Sequence, residues 1–359
     1  MSIMEKWRKE QMLQFERLSI KSIGIQHNIL FKRGRLTMNK KKNREIIVLE
    51  ILLMTLITGC TKVNDVTQVS QNNEVLEQTS DIDKLNGLTS SFGWGDDVKL
   101  YPDDNDNISE QIILSTSEPN VDMGVICFVD GYLQPVSVNG DKEQTVNIIT
   151  TGKDVNYDIS FDIVSARAGQ KVRVDMISLL NPSYEITENT VDEGLSFRSS
   201  SPIAQTFDAT NTVEMNEYTL IDNKKDISGE FKAKNGISDN NNPFSSKAYF
   251  RFERENEDNK WVQIKDNRIN IRLDIMGGSY SQYNIYVFAD NKVIKAFEGY
   301  ECAKVTVDNN KISVLDVSAD ISDMDISEYS VLYAVAVPDG EYTDNIISPL
   351  ISDRLFLKK

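Results

Sequence analysis

Apolar and polar residues alternate with a period of two over much of the chain beyond residue 90, whereas helical spacing is rare. In residues 268–275 the isoleucine and leucine side chains fall on one face of such a strand. Residues 157–163 and 172–176 repeat the pattern. This alternation predicts strands with one face toward a core and the other toward solvent. The solvent face of the first segment would carry Arg268, Asn270, Arg272 and Asp274.

Two short segments are apolar at every position rather than at every second one. They are Val125–Val129, with the sequence VICFV, and Ile285–Ala289, with the sequence IYVFA. A strand that is apolar on both faces is typical of the centre of a sheet that is covered on each side. We therefore expect both segments to be central strands.

These two segments belong to an internal repeat. GVICFVDGYLQPV around Phe128 aligns without a gap to NIYVFADNKVIKA around Phe288, so that Asp130-Gly131 matches Asp290-Asn291. Such dipeptides between apolar runs indicate two-residue hairpins, because both central positions need a positive φ. The strands ending at Pro182 and Pro338 also correspond, and Ser-Pro-Ile at 201–203 recurs as Ser-Pro-Leu at 348–350. The matches predict two tandem copies of one β-domain, although unrelated hairpins can resemble each other by chance.

The repeat divides the chain into a domain at 90–222, a polar junction at 223–246 and a second domain at 247–359. Each copy exceeds 100 residues, which is enough to bury a core of its own. The junction contains Asn235-Gly236 and the run of three asparagines before Pro243, which are typical of turns and loops.

One local motif favours a particular sandwich. Residues 325–331, DISEYSV, resemble the segment that leads into strand F of immunoglobulin-like domains, where a tyrosine closes a corner. Tyr329 would be that tyrosine, and Val331 stands where the disulfide cysteine would be. The expected fold class is all-β, with two tandem immunoglobulin-like β-sandwich domains. A jelly roll or another Greek-key sandwich would give a similar strand pattern.

Residues 38–59 have the layout of an export signal. Lys40, Lys41, Lys42 and Arg44 precede an apolar stretch from Ile46 to Thr58, which contains Glu50 and is too short to span a bilayer. The stretch ends in Ile57-Thr58-Gly59-Cys60, which resembles the lipobox of bacterial lipoproteins. The resemblance implies cleavage between Gly59 and Cys60 and a lipid on Cys60 that holds the protein at the outer face of the cell membrane. The alternative is a buried helix that happens to end in cysteine.

The segments on either side of this signal differ in character. Residues 1–37 precede it, and because a signal is read at the start of a chain, we expect Met38 to be the true start. A real amphipathic extension around Trp7, Leu13, Phe15 and Leu18 is the alternative. Residues 60–89 are polar and lack aromatic side chains, so we expect a flexible, disordered tether after Cys60.

Composition excludes several functions for the part beyond residue 59. Residues 1–59 hold 12 of the 39 Lys and Arg residues and 5 of the 55 Asp and Glu residues, so the other 300 residues carry a formal net charge of −23. This charge argues against a nucleic-acid partner, because phosphate binding needs clustered cations. The single histidine, His27, lies in the doubtful extension, which removes histidine-based triads and zinc sites.

The remaining candidates for chemistry are carboxylates and cysteines. Asp103, Asp104 and Asp106 form an acidic loop that could bind calcium, but it lacks the glycine and glutamate of an EF-hand. Asp323, Asp325 and Asp339 could pair for glycoside hydrolysis, but an acidic chain forms such pairs by accident. We expect Cys127 and Cys302 to be buried thiols, with a disulfide bond between them as the alternative. We expect no cofactor and no catalytic residue.

Binding is therefore the expected role. Trp94, Trp261 and Tyr280 are the aromatic residues placed to stack on sugar rings, with burial in a sandwich as the alternative. The lipobox, the tether and the β-repeat together resemble surface lipoproteins of Gram-positive bacteria. The resemblance implies a membrane-anchored extracellular interaction module whose partner is a surface protein or a glycan. A carbohydrate-binding lipoprotein is the first alternative, and a glycoside hydrolase is the second.

Overall fold

The computed structural model describes the following residues of the chain: 88–95, 99–103, 107–163, 166, 168–184, 186–187, 198–199, 203–209, 213, 217–238, 242–245, 248–253, 261–278, 282–324, 326–339 and 349–359. The predicted extension, the export signal, Cys60 and the tether up to residue 87 lie outside these ranges. So do Asp104, Asp106, Tyr280 and Asp325.

Strands make up more than half of the described residues, and the only α-helix among those residues is short, which confirms the all-β prediction. Their sheets lie in one compact unit, Asn72–Lys359. The strands are β1 (Ser90–Trp94), β2 (Asn107–Thr116), β3 (Val121–Val129), β4 (Tyr132–Gln134), β5 (Ser137–Val138), β6 (Asn147–Thr151), β7 (Val155–Asp162), β8 (Lys171–Leu180), β9 (Arg198–Ser199), β10 (Ile203–Asp208), β11 (Thr219–Ile221), β12 (Lys224–Asp226), β13 (Ala248–Phe252), β14 (Trp261–Gln263), β15 (Arg268–Gly277), β16 (Gln282–Ala289), β17 (Lys292–Val293), β18 (Cys302–Thr306), β19 (Lys311–Asp320), β20 (Tyr329–Pro338), β21 (Leu350–Ile351) and β22 (Leu355–Lys358). Helix α1 is Gly229–Asn235, and Pro243–Ser245 forms one 3-10 turn.

The strands form four sheets. Sheet 1 has the order β1-β2-β7-β5, and sheet 2 has the order β10-β8-β3-β4, with β6 on β3 and β9 on β8. Sheet 3 has the order β11-β18-β16-β20-β22-β14, with β17 on β16 and β21 on β20. Sheet 4 has the order β12-β19-β15-β13. Most neighbouring strands are antiparallel, while β11 and β14 pair in parallel at the two edges of sheet 3.

Three hydrophobic cores order the sheets as a stack from 1 to 4. The first core lies between sheets 1 and 2 and includes Ile112, Phe161 and Val174. Another lies between sheets 3 and 4 and includes Leu273, Ile285 and Leu315. Between them, sheets 2 and 3 pack face to face in a contact that we call the middle interface. It is formed by Ile126, Phe128, Leu133, Val146, Ile177, Leu179, Ile186, Tyr286, Phe288, Cys302, Val331, Tyr333, Val335, Val337 and Phe356.

The middle interface explains the two segments that are apolar on both faces. In β3, Val125, Cys127 and Val129 face sheet 1, while Ile126 and Phe128 enter the middle interface. In β16 the odd-numbered side chains from 283 to 289 face sheet 4, and Tyr286 and Phe288 face sheet 2. Both strands lie inside their sheets and are covered on each side, as the sequence predicted.

The same pairing pattern occurs twice along the chain. In the first copy, sheet 1 has the A-B-E-D order of the immunoglobulin fold, and β10-β8-β3 has the G-F-C order. In the second copy, β13-β15-β19 follows A-B-E and β22-β20-β16 follows G-F-C. The D position beside β19 is taken by β12, which precedes β13 in the chain. The topology is that of immunoglobulin-type sandwiches.

The two predicted hairpins have the expected backbone. Asp130 and Gly131 have φ values of 51° and 84°, and Asp290 and Asn291 have 51° and 62°. Positive φ at both central residues is the requirement of the two-residue turn that joins twisted strands. The turns connect β3 to β4 and β16 to β17.

The predicted corner motif is shifted by one position relative to the sandwich core. Tyr329 is the first residue of β20, which takes the place of strand F. Val331, however, lies in the middle interface, whereas Leu332 faces the core between sheets 3 and 4. An inter-sheet disulfide needs the inward face, so the placement of Val331 at the cysteine position was wrong.

The stretch at 223–246, predicted as a polar junction, is structured where it is described. It contains β12, the 3-10 turn and α1, which is capped by Ser228 at its start and by Gly236 with a φ of 66° at its end. Phe231 of α1 packs on an outer cluster of sheet 4 formed by Phe244, Met276, Ile312 and Val314. β11, which precedes the junction, pairs with β18 of sheet 3. No helix among the described residues has the length and apolar character needed to cross a bilayer.

The docking of the first hairpin on sheet 3 gives a stability prediction. A Cβ at Gly131 would lie 2.8 Å from Asn284 Nδ2 and 3.3 Å from the Pro338 carbonyl oxygen, while a Cβ at Gly140 would meet nothing within 4 Å. The φ values of the two glycines are similar, at 84° and 80°. We expect Gly131→Ala to lower the free energy of unfolding by about 1–3 kcal/mol more than Gly140→Ala, because it disturbs the hydrogen bond of a buried amide.

Urea unfolding of the two variants measures this difference. Gly140→Ala is the control for backbone strain alone, because it has nearly the same φ and no close neighbour. Equal losses in the two variants would show that the hairpin is not docked on sheet 3 in solution.

Candidate functional site

The two tryptophans predicted to bind sugar are both half-buried. Trp94 lies in β1 and packs against the core between sheets 1 and 2, with its indole nitrogen buried. Trp261 lies in β14, where its ring centroid is 5.4 Å from that of Tyr329 and 5.8 Å from that of Phe356. The structure therefore places them against different cores rather than on one surface. Their role in ligand binding stays a prediction.

The acidic candidates are engaged in local structure. Asp103 Oδ1 accepts a hydrogen bond from the backbone of Asn107, the first residue of β2, at 2.9 Å. Within the described ranges, no group of three or more His, Cys, Asp or Glu side chains is placed to hold a metal ion. Asp339 is buried and pairs with Lys304 Nζ at 2.7 Å, while Asp323 is exposed in a turn. Calcium binding and glycoside hydrolysis stay predictions.

Both described cysteines are free and buried. Cys127 lies in the core between sheets 1 and 2, and Cys302 lies in the middle interface, so the bridge considered as an alternative is not formed. Burial raises the pKa of the Cys302 thiol to about 12 and the pKa of Cys127 well above its usual value. Because the thiolate is the reactive form, neither side chain is poised as a nucleophile.

An ion pair is buried in the second sheet, on the face that meets sheet 3. Arg173 and Asp175 of β8 are 1% and 0% exposed, and the arginine donates through Nε and Nη2 to Asp175 Oδ1. The period-two pattern placed both side chains on a solvent face, which was wrong because sheet 3 covers that face. Burial raises the pKa of Asp175 to about 7, and the charge of Arg173 offsets only part of this increase.

A recess with polar walls lies on the outer face of sheet 4. This recess, which we call the outer groove, has a volume of about 630 Å³. Its walls come from α1, β12, β13, β15 and β19 and from the segments next to them, including the one before β22. Its lining includes cations, carboxylates and aromatic rings, among them Lys225, Lys234, Arg251, Glu253, Asp274, Tyr249 and Phe231. A cavity of this size is in the range that holds small ligands.

Asp274 is the unusual group of the outer groove. Its Oδ2 accepts from Lys225 Nζ at 2.6 Å, and the side chain is 6% exposed. Its Oδ1 is buried and has no hydrogen-bond partner in the described part of the chain. Burial raises the pKa of this carboxyl, while the Lys225 ammonium lowers it. A buried carboxylate oxygen without a donor is costly, and such exceptions in native proteins need an explanation.

Neighbouring charges hold the rest of the groove in place. Lys225 Nζ lies 3.6 Å from Glu253 Oε1, and Arg272 Nη1 donates to Glu253 Oε2 at 2.8 Å. The Arg251 guanidinium lies over the Tyr249 ring, 5.8 Å from its centroid. The outer groove thus brings hydrogen-bond donors, hydrogen-bond acceptors and apolar surface together at one place.

Sequence reasoning missed the outer groove because it assigned Asp274 to a solvent face. Asp274 does lie on the outer face of β15, beside Val314 of β19, but α1 and the outer cluster cover that face. A signal for the helix was present in Ser228 and in Asn235-Gly236, which have the spacing of helix caps. Nothing in the local pattern indicated which sheet face the helix would cover.

Comparisons with known proteins add little to this geometry. No protein-family model and no curated protein matches the chain. Among solved structures, the Salmonella enterica SafA pilin in complex with the SafB chaperone is 9% identical, and the match covers 73% of this chain and 95% of that one with a TM-score of 0.22. A Porphyromonas gingivalis protein of unknown function is 8% identical, with 76% and 99% covered and a TM-score of 0.22. Similarity this low supports no argument about function.

The buried Asp175 gives a pH prediction. Its pKa is about 7 in the folded protein and about 3.9 in an unfolded chain. Between these values the folded state holds the proton and the unfolded state has released it, so rising pH favours unfolding. We expect the free energy of unfolding to fall from about pH 4 to about pH 7, by on the order of 4 kcal/mol from this group alone.

Urea unfolding across this pH range, with Asp175→Asn, measures the effect. In Asp175→Asn the free energy of unfolding should fall much less with rising pH, because the amide does not titrate. Asp316→Asn, at an exposed carboxylate, should keep the wild-type slope. An unchanged slope in Asp175→Asn would mean that the carboxyl is already ionised in the folded protein.

Proposed function

We propose that this chain is a non-catalytic binding module held at the extracellular face of the cell membrane by a lipid on Cys60. The observation that carries the binding role is the outer groove, which places cations, carboxylates and aromatic rings on the outside of a four-sheet stack. Sites on rigid strands keep polar groups in a fixed geometry for a ligand. The stack supplies that rigidity, because its inner sheets are buried against each other.

The anchor is supported by the sequence. Ile57-Thr58-Gly59-Cys60 follows a short apolar stretch that is itself too short to remain as a transmembrane helix. The 300 residues from Cys60 onward carry a net charge of −23, which anionic lipid heads repel. Attachment therefore has to come from acyl chains, and two chains give stable anchoring where one gives only reversible binding.

The buried ionisable groups support binding over catalysis. Asp175 pairs with Arg173, and Asp339 pairs with Lys304, whose ammonium lies 4.4 Å from the ring centroid of Tyr218. Of the groove's hydroxyl groups, Ser228 is engaged as the helix cap and accepts from the Phe231 backbone at 3.1 Å. General acid and base work needs groups whose proton can reach a substrate. These two pairs lie outside the outer groove and stabilise the fold. Asp274 is the buried carboxyl that lines the groove, and its ion pair with Lys225 favours a binding role over that of a general acid, so a glycoside hydrolase is the weaker proposal.

Metabolic labelling with an alkyne analogue of palmitate tests the anchor. The wild-type chain should take up the label and yield a mature amino terminus at Cys60. Cys60→Ala should take up none, because it lacks the thiol that the lipid modifies. Thr61→Ala, one residue away, keeps the thiol and should be labelled like the wild type.

Protease treatment of intact cells tests the location in the same strains. An extracellular protein should be digested while cytosolic markers survive. An unlabelled wild-type chain, or one that is protected until the cells are lysed, would contradict the proposal.

A further inference from the structure

We propose that the outer groove is a saccharide site in which Asp274 Oδ1 accepts a hydrogen bond from a sugar hydroxyl and Tyr249 supplies an apolar wall. This inference rests on the binding role proposed above and names the class of ligand. It assigns a role to a buried carboxylate that lines a recess and has one oxygen without a hydrogen-bond partner in the described residues.

The first step is the unused acceptor of Asp274. The residue in register opposite Asp274 on β13 is Arg251, which could have formed a cross-strand ion pair. Its guanidinium lies instead over the Tyr249 ring, and within the described residues it has no carboxylate at ion-pairing distance. Asp274 Oδ1 therefore stays without a donor although an arginine stands beside it. A ligand that brings a donor would complete the site.

The second step is the charge around this oxygen, which favours a neutral donor over a cation. Lys225 already contacts Asp274 Oδ2 at 2.6 Å, and Lys234 and Arg251 also line the groove. Asp226, Glu253 and Asp353 line the groove as well, so its charges nearly balance, but a cation at Oδ1 would be repelled by the Lys225 ammonium that already pairs with this carboxylate. A hydroxyl group can donate to Asp274 and accept from an ammonium at the same time, because it has one donor and two lone pairs.

The third step is the apolar part of the lining. Tyr249 and Phe231 meet edge to face with ring centroids 5.0 Å apart, and both line the groove. Sugars present C–H groups on one face of the ring and hydroxyls around its rim, so an aromatic wall next to a carboxylate matches both parts. The volume of about 630 Å³ leaves room for more than one sugar unit.

A glycan array probed with the purified full chain tests the proposal. The detergent must carry no sugar head group, because maltosides and glucosides would compete for the site. The array should contain neutral, amino and acidic oligosaccharides, and the strongest ligand should then be titrated as the free oligosaccharide by calorimetry. We expect Asp274→Asn to weaken this binding by about tenfold, since the charged acceptor becomes a neutral amide oxygen and the hydrogen bond to it is weaker.

Matched variants separate the groove from other surfaces. Asp316→Asn removes an exposed carboxylate from β19 of the same sheet, outside the groove lining, and should bind like the wild type. Tyr249→Ala should weaken binding, while Tyr300→Ala, at an exposed tyrosine elsewhere, should not. If Asp274→Asn unfolds, as judged by its thermal midpoint, Tyr249→Ala and Lys225→Met still test the site.

The outcomes distinguish this inference from the proposed function. Sugar binding that survives Asp274→Asn and Tyr249→Ala but is lost in Trp261→Ala would move the site to β14 and overturn the groove. No binding to any glycan, in a chain that is still labelled at Cys60 and exposed on cells, would overturn the ligand class and leave the anchored module standing. Loss of labelling would remove the proposed location without affecting a groove that binds sugar in the titration.

Discussion

The whole structure depends on the burial of the middle interface. Strands β3 and β16 are apolar on both faces, so a single sandwich would leave one hydrophobic face of each in water. Packing sheet 2 against sheet 3 removes both faces from solvent at once. Phe288 and Tyr333 stack there with ring centroids 5.0 Å apart, and Phe128 meets Tyr286 at 5.4 Å. Burial of large aromatic side chains is among the strongest contributions to such a contact.

Hydrophobic burial has no direction, and polar contacts within the middle interface help to fix how sheets 2 and 3 are oriented. The Leu133 backbone donates to the Tyr286 hydroxyl at 3.1 Å, and Asn284 Nδ2 donates to the Gly131 carbonyl at 3.1 Å. At the other hairpin, Asn291 Nδ2 donates to the Pro182 carbonyl at 3.0 Å. A shifted docking would leave the buried groups of the first two bonds without partners, which costs more than the bonds themselves contribute. The hairpin turns thus act both as connections and as the contacts that fix the docking.

Much of this fold could be predicted from the amino-acid sequence, and the predictions that were wrong share one cause. Local alternation and the Asp-Gly signal identified the strands, the hairpins and the double cover of β3 and β16, because those properties depend on near neighbours in sequence. The same alternation placed Arg173, Asp175 and Asp274 in solvent, and the structure buries all three. An alternation with a period of two shows which residues of a strand share a face, but it does not show what packs against that face. The cover of Asp175 comes from a sheet more than 100 residues away in sequence.

The outer groove arises where the two copies differ. In sheet 1 the strand beside β7 is β5, which belongs to the same copy and lies between β4 and β6 in the chain. In sheet 4 the equivalent place beside β19 is taken by β12, which leads directly into α1. The substitution brings a helix onto the outer face of sheet 4, where Phe231 of the helix packs against Tyr249. The groove is therefore a product of the segment between the copies, so a second groove of this kind is not expected on sheet 1. This asymmetry explains why the sequence matches, which fall on strands common to both pairing patterns, gave no indication of the groove.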